Sequence, residues 1–468
     1  MPAQRIILLT GNPLRSNPRV IKEAAALSEE GYEVRVLGAW SAERVSEFGG
    51  RIADGGGQIA EGGWRRAGSG SEDSRSEAET GRRRDQRSEE GDRRAEIRGV
   101  EIDMLLAEQG RYNFVPLLPP NTLEGKLHRL VQRASRRFMP WSKWTFGLMP
   151  LVLEREALRL KPDLVIAHSE PALFAALALH RRGIKVGLDM EDWFSEDLLP
   201  ETRSRRPVDL LRKAEHDLLR CAAHATCTTE AMADALVRAY GCPRPTRIYN
   251  VFPSPRDAGP ELRDRGATSR SLAGEPSRGR AAVSIHWFSQ TLGPGRGLEE
   301  LMEAATGLHG NFEIHLRGEN GAYRVWFDDL VPADLRSRVF VHAPVPAGEL
   351  PSRIAEHDIG FAGELSGIRS RDLTATNKIF QYLQGGLAVV ASDTAGQHEV
   401  AGLAGPAVAI YRSGSTDDLG KRLADLIENA DKLAASKNAA ADAASRSLHW
   451  AAEKPRLVAS VHRALDGK

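Results

Sequence analysis

Residues 5–38, RIILLTGNPLRSNPRVIKEAAALSEEGYEVRVLG, run from an apolar stretch through a Gly/Pro/Asn loop into an amphipathic helical pattern that stops at Gly31, then into a second apolar stretch. That order is one βαβ unit. It returns in residues 162–190, PDLVIAHSEPALFAALALHRRGIKVGLDM, with its helix closed by Gly183, and again in ATCTTEAMADALVRAYG followed by TRIYNV. Beyond residue 281 the alternation restarts in AVSIHWFSQ, LEELMEAATGL, FEIHLRGE, SRVFVHAPV, DIGFAGE, NKIFQYLQGG and LAVVASD, and the chain closes with helical patterns. Strands and helices alternating at this spacing predict parallel sheets with helices on both faces. Because 468 residues exceed what one core normally organises, an α/β protein of two Rossmann-like domains is expected.

The first domain is expected to span residues 1–255 and the second, with the C-terminal helices, 282–468. Residues 49–98 break the pattern: eleven of the fifty are Gly, and only Ile52, Ile59, Trp64 and Ile97 are large and apolar. Such a segment cannot offset its ordering entropy by burial, so a disordered surface insertion is expected there. Residues 256–281 have the composition of a linker. Lys plus Arg number 64 against 63 Asp plus Glu, which gives no reason to make nucleic acid a partner. Cys221, Cys227 and Cys242 match neither a zinc nor a disulfide pattern and read as reduced thiols. The first strand pattern leaves no room for a signal peptide, and no run approaches the ~20 apolar residues of a spanning helix, so a cytoplasmic location is expected.

Two segments carry phosphate-binding chemistry. In SQTLGPGRGLEEL a strand enters Gly293, Pro294, Gly295, Arg296 and Gly297 just before a helix. Glycines let a ligand approach the backbone, and the first amides and positive dipole end of a helix favour an anion. Arg296 adds a forked cation suited to phosphate oxygens. A tight βα turn with a solvent-facing arginine accounts for the same residues equally well. In TATNKIFQYLQGGLAVVASDTAGQHEV, Thr376 or Asn377 can cap a helix whose first turn holds Lys378, with Gln381 one turn further on. A lysine there opposes the dipole, which an anion would make intelligible, with a solvated lysine as the alternative.

Together these segments resemble the donor-binding half of the group 1 (family-four-like) retaining glycosyltransferases, which have the GT-B fold. The resemblance implies two Rossmann-like domains with mainly parallel sheets facing across a cleft. It also implies a nucleotide-diphosphate sugar donor, a glycan or lipid-linked acceptor, and transfer without a metal or other cofactor. Carried onto this chain, it makes Arg296 and Lys378 the catalytic cations at the leaving diphosphate, and makes Gly293, Gly295, Gly297, Asn377, Gln381, Gly396 and Glu399 donor-binding. GNPLRSNPRVIKEAAALSEEGYEV resembles the family's opening unit and LDMEDWFSED its acceptor-side loop, which puts Asn12, Glu191 and Asp192 on the acceptor side; His168, in VIAHSEP, joins them as a strand-end candidate. Two departures stand out. The family's paired glutamates fall on Leu373 and Gln381, and the basic residue expected five positions before Arg296 is Thr291. A glutamine still donates and accepts hydrogen bonds to ribose hydroxyls, and Lys378 is the first candidate for a second cation. The alternative is a degenerate relative that binds nucleotide sugar or a partner without turnover.

Asp189, Glu191, Asp192, Glu196 and Asp197 cluster at a predicted strand end, where ligands of open α/β sheets bind, although several of them suit a solvated turn. His168 also ends a strand and reads equally as a core histidine. The thirteen histidines lack metal-ligand spacing, so no metal site is expected. Within residues 126–146, Lys126, Arg129, Arg133, Arg136, Arg137 and Lys143 interleave with Phe138, Trp141, Trp144 and Phe146. That mixture suits peripheral contact with an anionic membrane holding a lipid-linked acceptor. A packed helix with a basic outer face is the other reading.

Overall fold

The computed structural model describes residues 3–40, 100–197, 203, 205–253 and 282–467. The expected insertion at 49–98 and linker at 256–281 lie outside the described residues. The first unit runs β1 (Arg5–Leu9), α1 (Pro18–Glu29), β2 (Glu33–Ala39), β3 (Asn113–Leu117), α2 (Leu123–Phe138), α3 (Met149–Arg159), β4 (Leu164–Ala167), α4 (Glu170–His180), β5 (Val186–Met190), α5 (Val208–Cys221), β6 (His224–Cys227), α6 (Glu230–Tyr240) and β7 (Thr246–Arg247). The second runs β8 (Val283–Thr291), α7 (Leu298–Thr306), β9 (Phe312–Glu319), α8 (Arg324–Leu330), β10 (Val339–His342), α9 (Leu350–Ile354), β11 (Ile359–Ala362), α10 (Arg369–Leu373), α11 (Asn377–Gln384), β12 (Ala388–Ser392), α12 (Ala395–Ala404), β13 (Val408–Tyr411), α13 (Thr416–Glu428) and α14 (Ala430–Arg446), with α15 (Trp450–Asp466) closing the chain.

Two sheets result, ordered β3-β2-β1-β4-β5-β6-β7 and β10-β9-β8-β11-β12-β13, with every neighbouring pair parallel. These are the two Rossmann-like units expected. Ile6, Ile7, Leu8 and Leu9 have no accessible surface, because a central parallel strand is covered on both faces; that is why the run is apolar without alternation. Asn17 starts α1 by accepting the Val20 N–H at 3.1 Å, and Pro18 fills the first helical position. Each sheet reverses its winding once, between β1 and β4 in the first and between β8 and β11 in the second. Loops leaving those adjacent strands diverge and open a crevice at the strands' carboxyl ends.

The last helix departs from the expected grouping of C-terminal helices with the second unit. α15 buries Leu457, Val461 and Leu465 in the core that holds Ile6, Leu8 and Ile166 of the first sheet. Glu453 of α15 takes a hydrogen bond from Arg247 at 2.6 Å, and Lys185 donates to the Leu465 carbonyl at 2.6 Å. Among the described residues no helix is long and apolar enough to cross a membrane.

Candidate functional site

The turn after β8 sits at the crevice of the second sheet. Gly295 and Gly297 take the left-handed φ values +71° and +79°, which glycine adopts without Cβ strain. A Cβ on Gly297 would stand 3.1 Å from the Gly363 carbonyl oxygen, so the turn packs directly on the loop that follows β11. At Gly293 a Cβ would meet the Tyr323 ring at 3.0 Å. Arg296 donates to Ser289 Oγ, while its buried Nε finds no hydrogen-bond partner among the described residues. Burial, followed by the Arg371 guanidinium, lowers the pKa of Arg296 below the usual arginine value.

The first turn of α11 faces the same region. Thr376 occupies the N-cap position, yet neither it nor Asn377, which opens the helix, supplies the expected side-chain cap. Thr376 Oγ1 is buried and unpaired among the described residues, as are Gln290 Nε2 and Gln381 Oε1. Lys378 is not the solvated lysine of the alternative reading: it donates to Glu364 at 2.9 Å and lies 5.7 Å from the Trp287 ring centroid. Glu364, which follows β11 next to the Gly363 that packs on Gly297, is fixed by its N–H on Ser392 Oγ at 2.9 Å.

Three of the expected donor-side residues have partners within the protein. The Gly295 N–H is already taken by the Glu299 carboxylate at 2.9 Å, an internal anion at the helix start. Gly396 serves close packing, since a Cβ there would fall 2.6 Å from the Thr374 carbonyl oxygen. The Glu399 carboxylate is committed elsewhere, accepting the Glu230 N–H at 2.9 and 3.1 Å, the Ala231 N–H at 3.2 Å and the Tyr249 hydroxyl. It caps α6 of the first unit and so joins the two units.

At the first sheet's crevice, the Gly11 N–H donates to Ser169 Oγ at 2.6 Å, closing β1 against β4. Asn12 follows, its carbonyl accepting the Ala39 N–H at 3.1 Å. His168 is buried. Its Nε2 lies 3.1 Å from Glu23, and its Nδ1 3.4 Å from Asp189 and 3.5 Å from Glu191. Burial opposes the charged ring, but these three carboxylates raise its pKa well above the ordinary histidine range. Asp189 also binds the Arg19 guanidinium through both oxygens, and Thr226 at 2.7 Å. Glu23, His168 and Asp189 form the one group of potential metal ligands among the described residues. Arg19 already supplies the positive charge a cation would bring there. Glu191 is half-buried and accepts Asn17 Nδ2 at 2.7 Å; Asp192 beside it is half-buried.

Sequence reasoning missed the contacts joining the acidic loop to the second unit. The Trp193 N–H donates to Ser370 Oγ at 2.9 Å, the Arg369 guanidinium lies 4.4 Å from the Trp193 ring centroid, and Arg371 Nε is 3.7 Å from Asp197. Burial, then Asp192, pushes the Asp197 carboxyl well above the usual range, with Arg371 opposing. Below the loop, buried Glu215 accepts the Ser195 N–H at 2.8 Å, its hydroxyl at 2.6 Å and the Tyr240 hydroxyl at 2.7 Å. Burial raises Glu215 to about 7.

On the outer face, the buried residues of α2 are Gly125 and Ser135, whereas Leu123 is 85%, Leu130 64% and Phe138 70% exposed. The outer face is therefore apolar as well as basic, whereas Phe146, which the membrane reading counts among its aromatics, is buried in the core of the first unit.

The family described as glycosyl transferase 4-like domain matches residues 17–250. The fold is similar to sucrose-phosphate synthase from Thermosynechococcus elongatus, with a TM-score of 0.65 at 10% identity over 99% of this chain and 100% of that one. It is similar to Anabaena HepE in complex with UDP, with a TM-score of 0.58 at 16% identity over 98% and 99% of the two chains. A glycosyltransferase from Rickettsia africae gives a TM-score of 0.59 at 11% identity over 100% of both chains. No curated protein sequence matches the chain.

Proposed function

The chain belongs to the glycosyl transferase 4-like family, and from that premise we propose that it moves a sugar from a nucleoside-diphosphate donor onto a glycan or lipid-linked acceptor, retaining the anomeric configuration and using no metal. Polysaccharide or glycoconjugate biosynthesis at the inner face of a membrane is the setting this reading favours. The observation that carries it is the set of buried polar atoms, unpaired among the described residues, on the segments that border the second crevice: Gln290 Nε2, Arg296 Nε, Thr376 Oγ1 and Gln381 Oε1. Buried polar groups are normally satisfied, so several orphans on the segments that border one crevice fit a polar ligand with many acceptors and donors. A nucleoside diphosphate has both.

In this reading the diphosphate lies against the glycine turn and Arg296, the ribose against Gln381, and Asn377 and Lys378 border the leaving group. Charge develops on the diphosphate as the glycosidic bond breaks, and fixed cations and helix amides stabilise it without reorganising. The acceptor approaches from Asn12, Glu191 and Asp192, and closure of the units limits donor hydrolysis. HepE was solved with UDP, which makes UDP-sugars the first donors to try. The exposed apolar and basic face of α2 supports a membrane-borne acceptor.

A competing reading, binding without turnover, draws on the neutral Gln381 and on the commitment of Glu399 to α6. Incubating the full chain with UDP-, GDP- and ADP-sugars and a membrane extract separates the two. Acceptor-dependent release of the nucleoside diphosphate, with the product anomer read by NMR, supports transfer. Tight donor binding with the donor left intact supports the competitor, and inversion at the anomeric carbon removes the retaining assignment.

A further inference from the structure

The crevice of the second sheet holds a second guanidinium that the glycine turn does not itself supply. Arg371 reaches in from α10 and donates through Nη1 to the Gly295 carbonyl at 3.2 Å, placing it on the same turn as Arg296. An arginine has five N–H donors, and Arg371 makes that one hydrogen bond among the described residues. Its carboxylate neighbour, Asp197, stays at 3.7 Å, and each side chain is 19% exposed.

Two guanidinium groups held at one turn repel each other unless something negative lies between them. The carboxylates nearby offset this only in part: Glu299 is spent on the Gly295 N–H at 2.9 Å, and the pKa of Arg296 stays lowered although Glu364 opposes the shift. Glu364 is engaged by Lys378 at 2.9 Å, which also removes Lys378 as the free second cation. Asp197 has its carboxyl raised by burial and by Asp192, so its charge is a weak counterweight. Arg296 registers the imbalance, its pKa lowered by burial and then by Arg371. Its orphaned Nε points to the same missing partner.

We propose that Arg296 and Arg371 form a two-arginine clamp on a diphosphate, one guanidinium per phosphoryl group, with Arg371 a donor-binding residue brought in from the segment that docks on the first unit. Paired planar forks match two adjacent phosphoryl groups better than a single phosphate. The inference rests on the donor reading above.

The test uses calorimetry on the full chain, with inorganic pyrophosphate, UDP, GDP and ADP as probes and the matching nucleoside monophosphates as controls. Arg371→Gln should weaken pyrophosphate and the best nucleoside diphosphate by about ten- to a hundredfold, the range of a charge-assisted hydrogen bond. The monophosphate should lose less than about threefold. Arg371→Lys should recover part of the loss, and both variants should melt within a few degrees of the wild type. Asp197→Asn, which releases Arg371 without removing it, should leave pyrophosphate affinity unchanged or higher. If Arg371→Gln binds like the wild type while Arg296→Ala is weakened, the clamp is wrong and the donor reading stands. If Asp197→Asn loses as much as Arg371→Gln, Arg371 is a strut between the units and the clamp is overturned. If the wild type binds neither pyrophosphate nor any of the three nucleoside diphosphates, the donor reading falls and the clamp with it.

Discussion

The carboxylate of Glu399 sits on the amino end of α6, accepting the N–H of Glu230 at 2.9 Å through one oxygen and at 3.1 Å through the other. Those amides belong to the first turn of a helix, where no intrahelical acceptor exists, so a carboxylate from another unit satisfies them and complements the dipole. Glu399→Ala should therefore cost about 1–2 kcal/mol of stability, the usual loss for a cap. Nucleoside-diphosphate affinity should change less than about twofold. Denaturant unfolding and calorimetry on one preparation decide this. A tenfold loss of affinity at unchanged stability would return Glu399 to the donor site.

Arg296 is where donor binding should be most sensitive. Arg296→Ala should weaken the preferred nucleoside diphosphate by about 1.5–3 kcal/mol, the range for a hydrogen bond to a charged group. Glu299→Gln, which neutralises the carboxylate 2.9 Å from the Gly295 N–H, should tighten the same ligand. Equal affinities for wild type and both variants would move the diphosphate away from this turn.

Glu215 predicts an unusual stability profile. Its ordinary value is 4.5 and burial raises it to about 7 in the folded chain. Between those values the folded state holds a proton the unfolded state has lost, so stability falls as pH rises. The contribution is fully present below about 4.5 and is gone above about 7, a change of about 3 kcal/mol at 1.36 kcal/mol per unit. Denaturation midpoints across that window should fall in the wild type relative to Glu215→Gln. Parallel curves for the two proteins would show that Glu215 ionises normally.

The exposed face of α2 predicts membrane binding that fails in two separable ways. Leu127→Asp with Leu130→Asp should abolish cosedimentation with anionic vesicles at any salt. Exchanging Arg133 and Arg137 for Glu should remove the salt-sensitive part, about 1 kcal/mol per basic residue. Both variants should keep nucleotide affinity, because α2 lies on the first unit. Wild-type protein that ignores anionic vesicles would leave the acceptor in solution.

What was legible in the sequence followed from periodicity. The runs IILL and AVVAS read as buried strands of parallel sheets, and the glycines before Leu298 as a strand-to-helix turn. Relationships between distant segments left no local trace. Glu399 and Glu230 are 169 positions apart, so nothing in DTAGQHEV distinguishes a cap on another unit from a ligand contact. Arg371 lies in SGIRSRDL, which reads as a polar loop; only the path of α10 brings it to Gly295. His168 at a strand end read equally as a site or a core residue, because its partner Glu23, and the Arg19 that pairs with Asp189, come from a helix far earlier in the chain.

Gln381 is the sharpest test of whether the donor site works without the carboxylate that the family resemblance leads one to expect. Its Oε1 is buried and unpaired among the described residues, one helical turn after Lys378, so the side chain offers an acceptor that no neighbour uses. A ribose hydroxyl there would donate to Oε1 while the amide N–H₂ remains free to donate in turn. Gln381→Ala should then weaken the nucleoside diphosphate by about 0.5–1.5 kcal/mol, a neutral hydrogen bond's share. Gln381→Glu, which keeps the acceptor and adds charge near the diphosphate, should change affinity only modestly. The comparison that decides is ribose against base: UDP and pyrophosphate measured on both variants. Loss for UDP but not for pyrophosphate places Gln381 at the nucleoside, whereas equal losses for both place it at the phosphates. A silent alanine, combined with a glutamate variant that turns over donor faster, would mean that the site has decayed from a glutamate-bearing ancestor and that Gln381 no longer binds anything.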